Sequence, residues 1–173
     1  MIEPEPVRIS PALYRQIVDH CVEELPLECC GVLGGNSRNA TSIYRFTNVL
    51  ASERRYNADP IEILRANEDL RGRGEEFVAI YHSHPKSKAF PSRTDLELNG
   101  YGDLPQIIVG LIHDHPEVRA WRYDVDSYAE IRLIVSDAAV EATSEDGYTC
   151  RSDFDPNPVT HDRAARCSEH CLS

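Results

Sequence analysis

The chain has 173 residues, 41% hydrophobic and 27% charged, which is enough to form one domain with a buried core. No run of 18 apolar residues occurs, so a membrane-spanning helix is excluded. Residues 1–6 lack the basic and apolar segments of a signal peptide, and a cytoplasmic location is expected. The net charge of -11 argues against binding to nucleic acid or anionic lipid, because both need an excess of Lys and Arg.

The first third of the chain predicts a helix followed by two strands. Ser10 and the proline after it are typical of a helix start, and apolar residues at helical spacing extend the helix to residue 25. Residues 29–33 form a short apolar run that predicts a buried strand, closed by a turn at residues 34–36. A second strand is expected around residues 43–49.

The middle of the chain predicts a helix, a strand and a short second helix. Asp59 and the following proline predict a helix that reaches about residue 70. Residues 77–81 predict an apolar strand that leads directly into a histidine pair. A proline-containing loop follows at residues 85–91, and Ser92 opens the short helix.

The last part predicts three strands and a tail. The strands are expected over residues 106–112, 118–123 and 128–135. Strands mixed with two or three helices indicate a single α/β domain, with bounds at residues 7–135. From residue 136 to 173 the chain contains eight acidic residues against three arginines, which predicts a tail that is either partly disordered or folded over the domain.

The segment from His82 to Asp95 carries the clearest chemistry. Side chains two residues apart on a strand point to the same side, so His82 and His84 project together from the strand's carboxyl end. The loop that follows lets the chain turn back and bring Asp95 to the same point. Three such ligands leave a tetrahedral zinc ion one position for water, as in catalytic sites, and predict one zinc ion per chain. Imidazole and carboxylate ligands also suit other divalent ions.

Two further side chains complete a hydrolytic set. Glu28, just before the strand at residues 29–33, is placed to take a proton from the attacking water and pass it to a leaving amine. Ser92 is placed to donate its hydroxyl to the oxyanion. Together with a zinc ion, these residues predict a hydrolase that acts on a carbonyl group.

Each of these residues also has an ordinary structural explanation. His82 and His84 can be a buried, hydrogen-bonded pair. Ser92 and Asp95 have the spacing of a helix capping box. Glu28 can be an exposed loop carboxylate.

Other candidate ligands have weaker patterns. His113 and His115 repeat the His-x-His-Pro string but fall in an expected hairpin turn, where Glu117 is the candidate acid, so we predict a surface turn. The cysteines are expected to be reduced, with Cys29 and Cys30 packed in the core. Near the carboxyl end a structural zinc site or a disulfide stays open, although the spacing of its residues matches no standard pattern: Cys150, Cys167, His170 and Cys171.

Three segments of the chain together resemble the JAMM (MPN-plus, Mov34/PAD-1) metalloprotease family. They read Leu27-Glu28-Cys29-Cys30-Gly31-Val32-Leu33-Gly34, His82-Ser83-His84-Pro85 and Pro91-Ser92-Arg93-Thr94-Asp95. The resemblance covers about residues 7–135 and leaves the tail outside.

The resemblance implies a curved, mixed β-sheet flanked by helices, similar to the cytidine-deaminase-like architecture. It implies zinc on His82, His84 and Asp95, with Glu28 as the acid–base and Ser92 as the oxyanion donor. The chain is similar in size to small stand-alone bacterial relatives. These include peptidases that act at the Gly-Gly carboxyl end of ubiquitin-like sulfur carriers, for instance to release cysteine from its carrier.

Three functions remain in competition. The first is a zinc peptidase that cleaves after the Gly-Gly end of a ubiquitin-like or sulfur-carrier protein, a slender end that suits a narrow groove. The second is a metal-free scaffold of the same fold that binds proteins, which the complete ligand set disfavours. The third is a zinc hydrolase of a small amide or peptide. Whether the chain forms a homodimer stays open.

Overall fold

The structure is a computed structural model that describes residues 5–97, 100, 102–124 and 127–137. In these residues eight strands and three helices follow one another in the order β1 (Val7–Ile9), α1 (Pro11–Glu23), β2 (Cys30–Asn36), β3 (Asn39–Phe46), α2 (Pro60–Gly72), β4 (Glu76–His84), α3 (Arg93–Glu97), β5 (Gln106–Gly110), β6 (Glu117–Tyr123), β7 (Tyr128–Ile131) and β8 (Leu133–Val135). None of these helices is long and apolar enough to cross a membrane.

All eight strands form one mixed sheet in the order β7-β6-β5-β4-β2-β3-β1-β8. The pairs β1–β3, β1–β8 and β4–β5 are parallel, and the other four are antiparallel. β7 and β8 lie at opposite edges although only Arg132 separates them in the chain. The sheet therefore curls until its edges nearly meet, which confirms the expected curved, mixed sheet flanked by helices.

Both long helices begin as the sequence predicts. The Ser10 side chain accepts a hydrogen bond from the Leu13 N–H at 3.2 Å, and Asp59 accepts one from the Ile61 N–H at 2.8 Å. A proline follows each cap, where its missing N–H costs nothing. Along α1, His20 is buried and Val22 is exposed. The apolar spacing of the sequence predicts the opposite, with Val22 facing the core.

The turn predicted at residues 34–36 is wrong. β2 continues through Asn36, and the two-residue turn consists of Ser37 and Arg38, both with positive φ. Positive φ at both central residues matches the twist of a hairpin, and such turns usually contain Asn-Gly. Because Ser-Arg is not a typical turn sequence, the pattern did not predict this turn. Gly35 instead allows β2 to pack closely against the backbone of β3, since a Cβ at this position would lie 1.9 Å from the Asn39 carbonyl oxygen.

The single strand predicted over residues 128–135 is also wrong. β7 pairs with β6, whereas β8 pairs with β1, a three-residue strand that the sequence pattern did not reveal. The chain changes partner at Arg132, whose carbonyl oxygen accepts the Val7 N–H at 3.0 Å. A continuous strand pattern in the sequence does not show that the two halves of the segment pair at opposite edges of a curled sheet.

The two faces of the sheet bury different residues. On one face α1 packs against residues of β1 to β7, including Leu33, Tyr81 and Val109. On the other face α2 packs against Val32 and Ile80. Strand β4 lies between β2 and β5 near the middle of the sheet, so residues at its carboxyl end are held from both sides.

Candidate active site

The histidine pair lies at the carboxyl end of β4, as predicted. His82 and His84 point to the same side of the sheet, with 3.2 Å between their Nε2 atoms. Both are buried. The ring of Tyr56 stacks on His82 with centroids 4.7 Å apart, and the Lys88 carbonyl oxygen lies 3.3 Å from Nδ1 of His84. These contacts fix both ring planes.

Asp95 lies on α3 and faces both histidines. Its Oδ1 is 3.5 Å from Nε2 of His82, and its Oδ2 is 3.2 Å from Nε2 of His84. Burial opposes ionisation of Asp95, but the hydrogen bonds with both imidazoles outweigh burial and hold its pKa well below the usual range. The carboxylate is therefore ionised, which is the form that can bind a cation.

The three side chains fit a metal ion. One ligand atom from each of His82, His84 and Asp95 lies within 4.8 Å of the others. Ligand atoms of a tetrahedral site with bonds of about 2.0–2.2 Å lie roughly 3.3–3.6 Å apart. The separations of 3.2 to 3.5 Å between the imidazole nitrogens and the carboxylate oxygens are close to that spacing. The folded chain thus presents a preformed donor set of the kind that divalent metals take.

Glu28 is buried beside this cluster. It lies between α1 and β2 and is 6% exposed, so the structural alternative of an exposed loop carboxylate is wrong. Burial raises the pKa of Glu28 to about 7; a positive charge on His84 lowers the pKa, and the charge of Asp95 raises it. A carboxyl group with this pKa exchanges protons readily near neutral pH.

Ser92 forms the predicted capping box and also faces the site. Its N–H donates to Oδ2 of Asp95 at 2.6 Å, while its Oγ accepts the Asp95 N–H at 3.2 Å. Because Oγ acts as the acceptor in the cap, the hydroxyl hydrogen remains able to donate elsewhere. Capping and donation to a substrate oxygen are therefore compatible.

The side chains meet in a cleft of about 260 Å³. Glu28, His84 and Ser92 contribute to its wall, which is completed by Glu53, Arg54, Pro85, Lys86 and Ser87. All five residues expected at the site thus lie at or next to one cleft. A buried carboxyl group with a raised pKa, a set of side chains that could hold a cation and a hydroxyl group thus face a common space, an arrangement that amide hydrolysis could use.

The sequence did not reveal the residues that hold the loop at residues 85–91. The indole N–H of Trp121 donates to the Ala89 carbonyl oxygen at 2.9 Å, and Gly110 lies directly under the loop backbone. Tyr56, which stacks on His82, was missed as well. No local pattern marks these residues, because each belongs to a different element from its partner.

The second His-x-His-Pro string is a surface turn, as predicted. His113 and His115 are exposed between β5 and β6.

Cys29 and Cys30 are buried free thiols, as expected, and Sγ of Cys29 lies 3.2 Å from Sγ of Cys21, a contact that the sequence spacing does not indicate. The cysteines and histidine considered for a carboxyl-terminal zinc site lie outside the described residues.

Comparisons with known proteins identify the family. A family profile described as prokaryotic homologs of the JAB domain matches residues 10–124. A desampylase from Haloferax volcanii is 43% identical over 113 residues, which is 64% of this chain and 79% of that protein. A CysO-cysteine peptidase from Mycobacterium tuberculosis is 34% identical over 117 residues, 66% of this chain and 80% of the relative.

The solved structures agree with this fold. The solution structure of a protein from Desulfitobacterium hafniense matches with a TM-score of 0.69 and 27% identity, over 75% of this chain and 92% of the other. The expected family, fold and class of enzyme, a hydrolase of the metalloprotease type, are confirmed. The chain belongs to the prokaryotic homologs of the JAB domain.

Proposed function

We propose that this chain is a zinc peptidase that hydrolyses the amide bond after the carboxyl-terminal Gly-Gly of a ubiquitin-like or sulfur-carrier protein. The observation that carries the proposal is the convergence of His82, His84 and Asp95 beside Glu28 and Ser92 at one cleft. One zinc ion would be held by the two imidazoles and the Asp95 carboxylate. When bound, the ion supplies nucleophilic water at neutral pH.

The residues of the chain divide the remaining work. Glu28 accepts the proton of the attacking water, which its pKa of about 7 permits, and returns it to the leaving amine. Ser92 donates its hydroxyl hydrogen to the oxygen on which negative charge develops. The hydrogen bond from the Ser92 backbone N–H to the Asp95 carboxylate holds the Ser92 hydroxyl close to the proposed zinc ligands.

The substrate class rests on two supports. One relative is named a CysO-cysteine peptidase. The cleft beside His84 is small, and an extended Gly-Gly segment has no side chains to exclude from such a space. Release of cysteine from a carrier and release of a carrier from a protein are both within this class.

Residues 7–135 form the proposed catalytic domain. Support comes from β1 and β8, which begin and end the described fold and pair with each other from Val7↔Leu133 to Ile9↔Val135. A cytoplasmic location belongs to the same proposal and is supported by three buried cysteines that are free thiols, Cys21, Cys29 and Cys30.

The decisive experiment uses a carrier protein extended beyond its Gly-Gly end and follows its intact mass. We expect the wild-type chain to remove the extension, His84→Ala or a chelator to abolish removal, and Glu28→Gln to reduce it to a small but measurable residual rate. Zinc content of the purified proteins is measured in parallel. A zinc-loaded wild type that leaves the carrier intact would favour a small amide substrate, and a chain that takes up no zinc would favour a protein-binding scaffold.

A further inference from the structure

The side chain of Ser83 lies between the two histidines in sequence but points to the other side of β4. Its hydroxyl is fully buried. A buried hydroxyl is costly unless it is hydrogen-bonded. Its partner is the backbone N–H of Cys29, which donates to Ser83 Oγ at 2.9 Å. Ser83 therefore connects the strand that carries the histidines to the residue directly after Glu28.

This contact occurs where β2 leaves the sheet. The regular ladder pairs Cys30 with His82, and one step further the Ser83 N–H donates to the Cys29 carbonyl oxygen at 3.1 Å. In a regular antiparallel pair, the Cys29 N–H would donate to a backbone oxygen in return. Here the Ser83 side chain is the acceptor instead. The chain thus departs from the ladder while remaining bonded to β4.

The other end of the same peptide group is held by Asn48. Its Nδ2 donates to the Glu28 carbonyl oxygen at 2.9 Å and to the Arg55 carbonyl oxygen at 3.0 Å. Its Oδ1 accepts the N–H groups of Leu50 and Asn57 at 3.1 and 3.0 Å. With four hydrogen bonds, the amide of Asn48 has one orientation and is a rigid anchor.

The backbone of Glu28 is consequently fixed on both sides of its Cα atom. The Glu28 N–H donates to the Ser52 carbonyl oxygen at 2.9 Å. The peptide group that follows is bonded at its carbonyl by Asn48 and at its N–H by Ser83. The carboxyl group can then move only by rotation about its own side-chain bonds.

We propose that Ser83 and Asn48 are positioning residues that clamp the Glu28–Cys29 peptide and so fix the Glu28 carboxyl group relative to His82 and His84. The inference rests on the proposed function, in which Glu28 transfers the proton. Because Ser83 belongs to the same strand as both histidines, the proton acceptor and the two imidazole ligands share one rigid support. Displacement of a reacting group by about 1 Å can cost roughly 100-fold in rate.

The clamp is tested first without any assay of activity. Amide hydrogen exchange of Cys29 is measured by NMR in the full chain for wild type, Ser83→Ala, Ser83→Thr and Asn48→Asp. Asn48→Asp keeps the acceptor oxygen and removes the donor to Glu28. We expect exchange at Cys29 to be about tenfold faster in Ser83→Ala and close to wild type in Ser83→Thr.

A matched control is Ser42→Ala in β3, whose hydroxyl accepts a hydrogen bond from Arg73 at 3.3 Å, away from Glu28. This variant is expected to leave Cys29 exchange unchanged. Unchanged exchange in Ser83→Ala, with wild-type melting temperature, would overturn the clamp. That result would be independent of whether the chain cleaves carrier proteins.

The role in catalysis is tested by kinetics on the extended carrier. Ser83→Ala and Asn48→Asp are expected to lower kcat about 10- to 100-fold, with KM and zinc affinity within about twofold of wild type. Ser83→Thr should restore kcat. In the Glu28→Gln background, Ser83→Ala should change the residual rate less than twofold, because the group it positions is already absent.

Equal losses in the wild-type and Glu28→Gln backgrounds would show that Ser83 acts other than through Glu28 and would refute its positioning role. Loss of zinc from Ser83→Ala would likewise refute this role, because it would show that Ser83 supports the histidines and not Glu28. If wild type cleaves no carrier but the exchange results hold, the proposed substrate is wrong and the clamp stands.

Discussion

Glu28 is a carboxyl group kept where its charge is unfavourable. Its pKa in the folded chain is about 7, against an ordinary value of 4.5. The folded state therefore binds more protons than the unfolded state between these two values, and stability falls as pH rises through that window. The burial that raises the pKa of Glu28 therefore has a cost in stability for the metal-free protein once the carboxyl group is ionised.

This cost predicts that Glu28→Gln stabilises the metal-free chain at high pH. At pH 8 we expect a gain of about 1–2 kcal/mol in the free energy of unfolding, because glutamine carries no charge to bury. At pH 4 the gain should vanish, since glutamic acid is then neutral in both states. Urea unfolding with a chelator present measures both values, and an equal gain at the two pH values would contradict the explanation.

The observed capping contact of Ser92 and its proposed donation to the oxyanion can be separated by the choice of substitution. Ser92→Ala removes the cap and the hydroxyl donor, so we expect a loss of about 1 kcal/mol in stability and of about 100- to 1,000-fold in kcat. Ser92→Gly should lose the same turnover but only a few tenths of a kcal/mol, because glycine is tolerated at an N-cap.

Thermal unfolding and carrier cleavage of both Ser92 variants provide the comparison. Full turnover in Ser92→Gly would mean that the hydroxyl only caps α3. In that case another donor would have to face the oxyanion.

Among the elements, the loop at residues 85–91 depends on β5 and β6 for its position. A Cβ on Gly110 would lie 2.4 Å from the Ala89 nitrogen and 2.6 Å from the Lys88 carbonyl carbon. These are backbone atoms, so the loop itself would have to move. Because the Lys88 carbonyl also contacts His84, movement of the loop would disturb a proposed metal ligand.

Gly110→Ala is therefore expected to cost about 1–3 kcal/mol in stability and to reduce both zinc affinity and turnover at least tenfold. Gly72→Ala at the end of α2 is the matched control, since nothing lies within 4 Å of its Cβ position. The control should be neutral or slightly stabilising. Zinc titration and thermal melts report the result, and wild-type zinc affinity in Gly110→Ala would contradict it.

For the whole molecule, one edge of the sheet depends on the short pair β1–β8. A chain that ends at Asp137 retains both strands, and we expect its melting temperature to match that of the full chain. A chain that ends at Arg132 lacks β8, exposes the edge of β1 and should melt roughly 10 °C lower. Calorimetry of the two truncations tests the proposed domain bounds, and equal melting would show that β8 contributes little.

The sequence by itself determined features that depend on local spacing. The capped starts of α1 and α2, the common side of His82 and His84, and the reciprocal bonds of Ser92 and Asp95 all follow from periods of two to four residues. Such periods are properties of the backbone geometry of one element. The family resemblance then assigned roles to these residues and to Glu28.

Only the tertiary structure decided which elements become neighbours. It placed β2 beside β4, so that Ser83 and Asn48 hold the backbone of Glu28, and it joined the halves of residues 128–135 to opposite edges of the sheet. It also buried Glu28 and raised its pKa. Pairing between distant strands and the burial it causes are collective properties of the packed chain, which the pattern of any one segment does not contain.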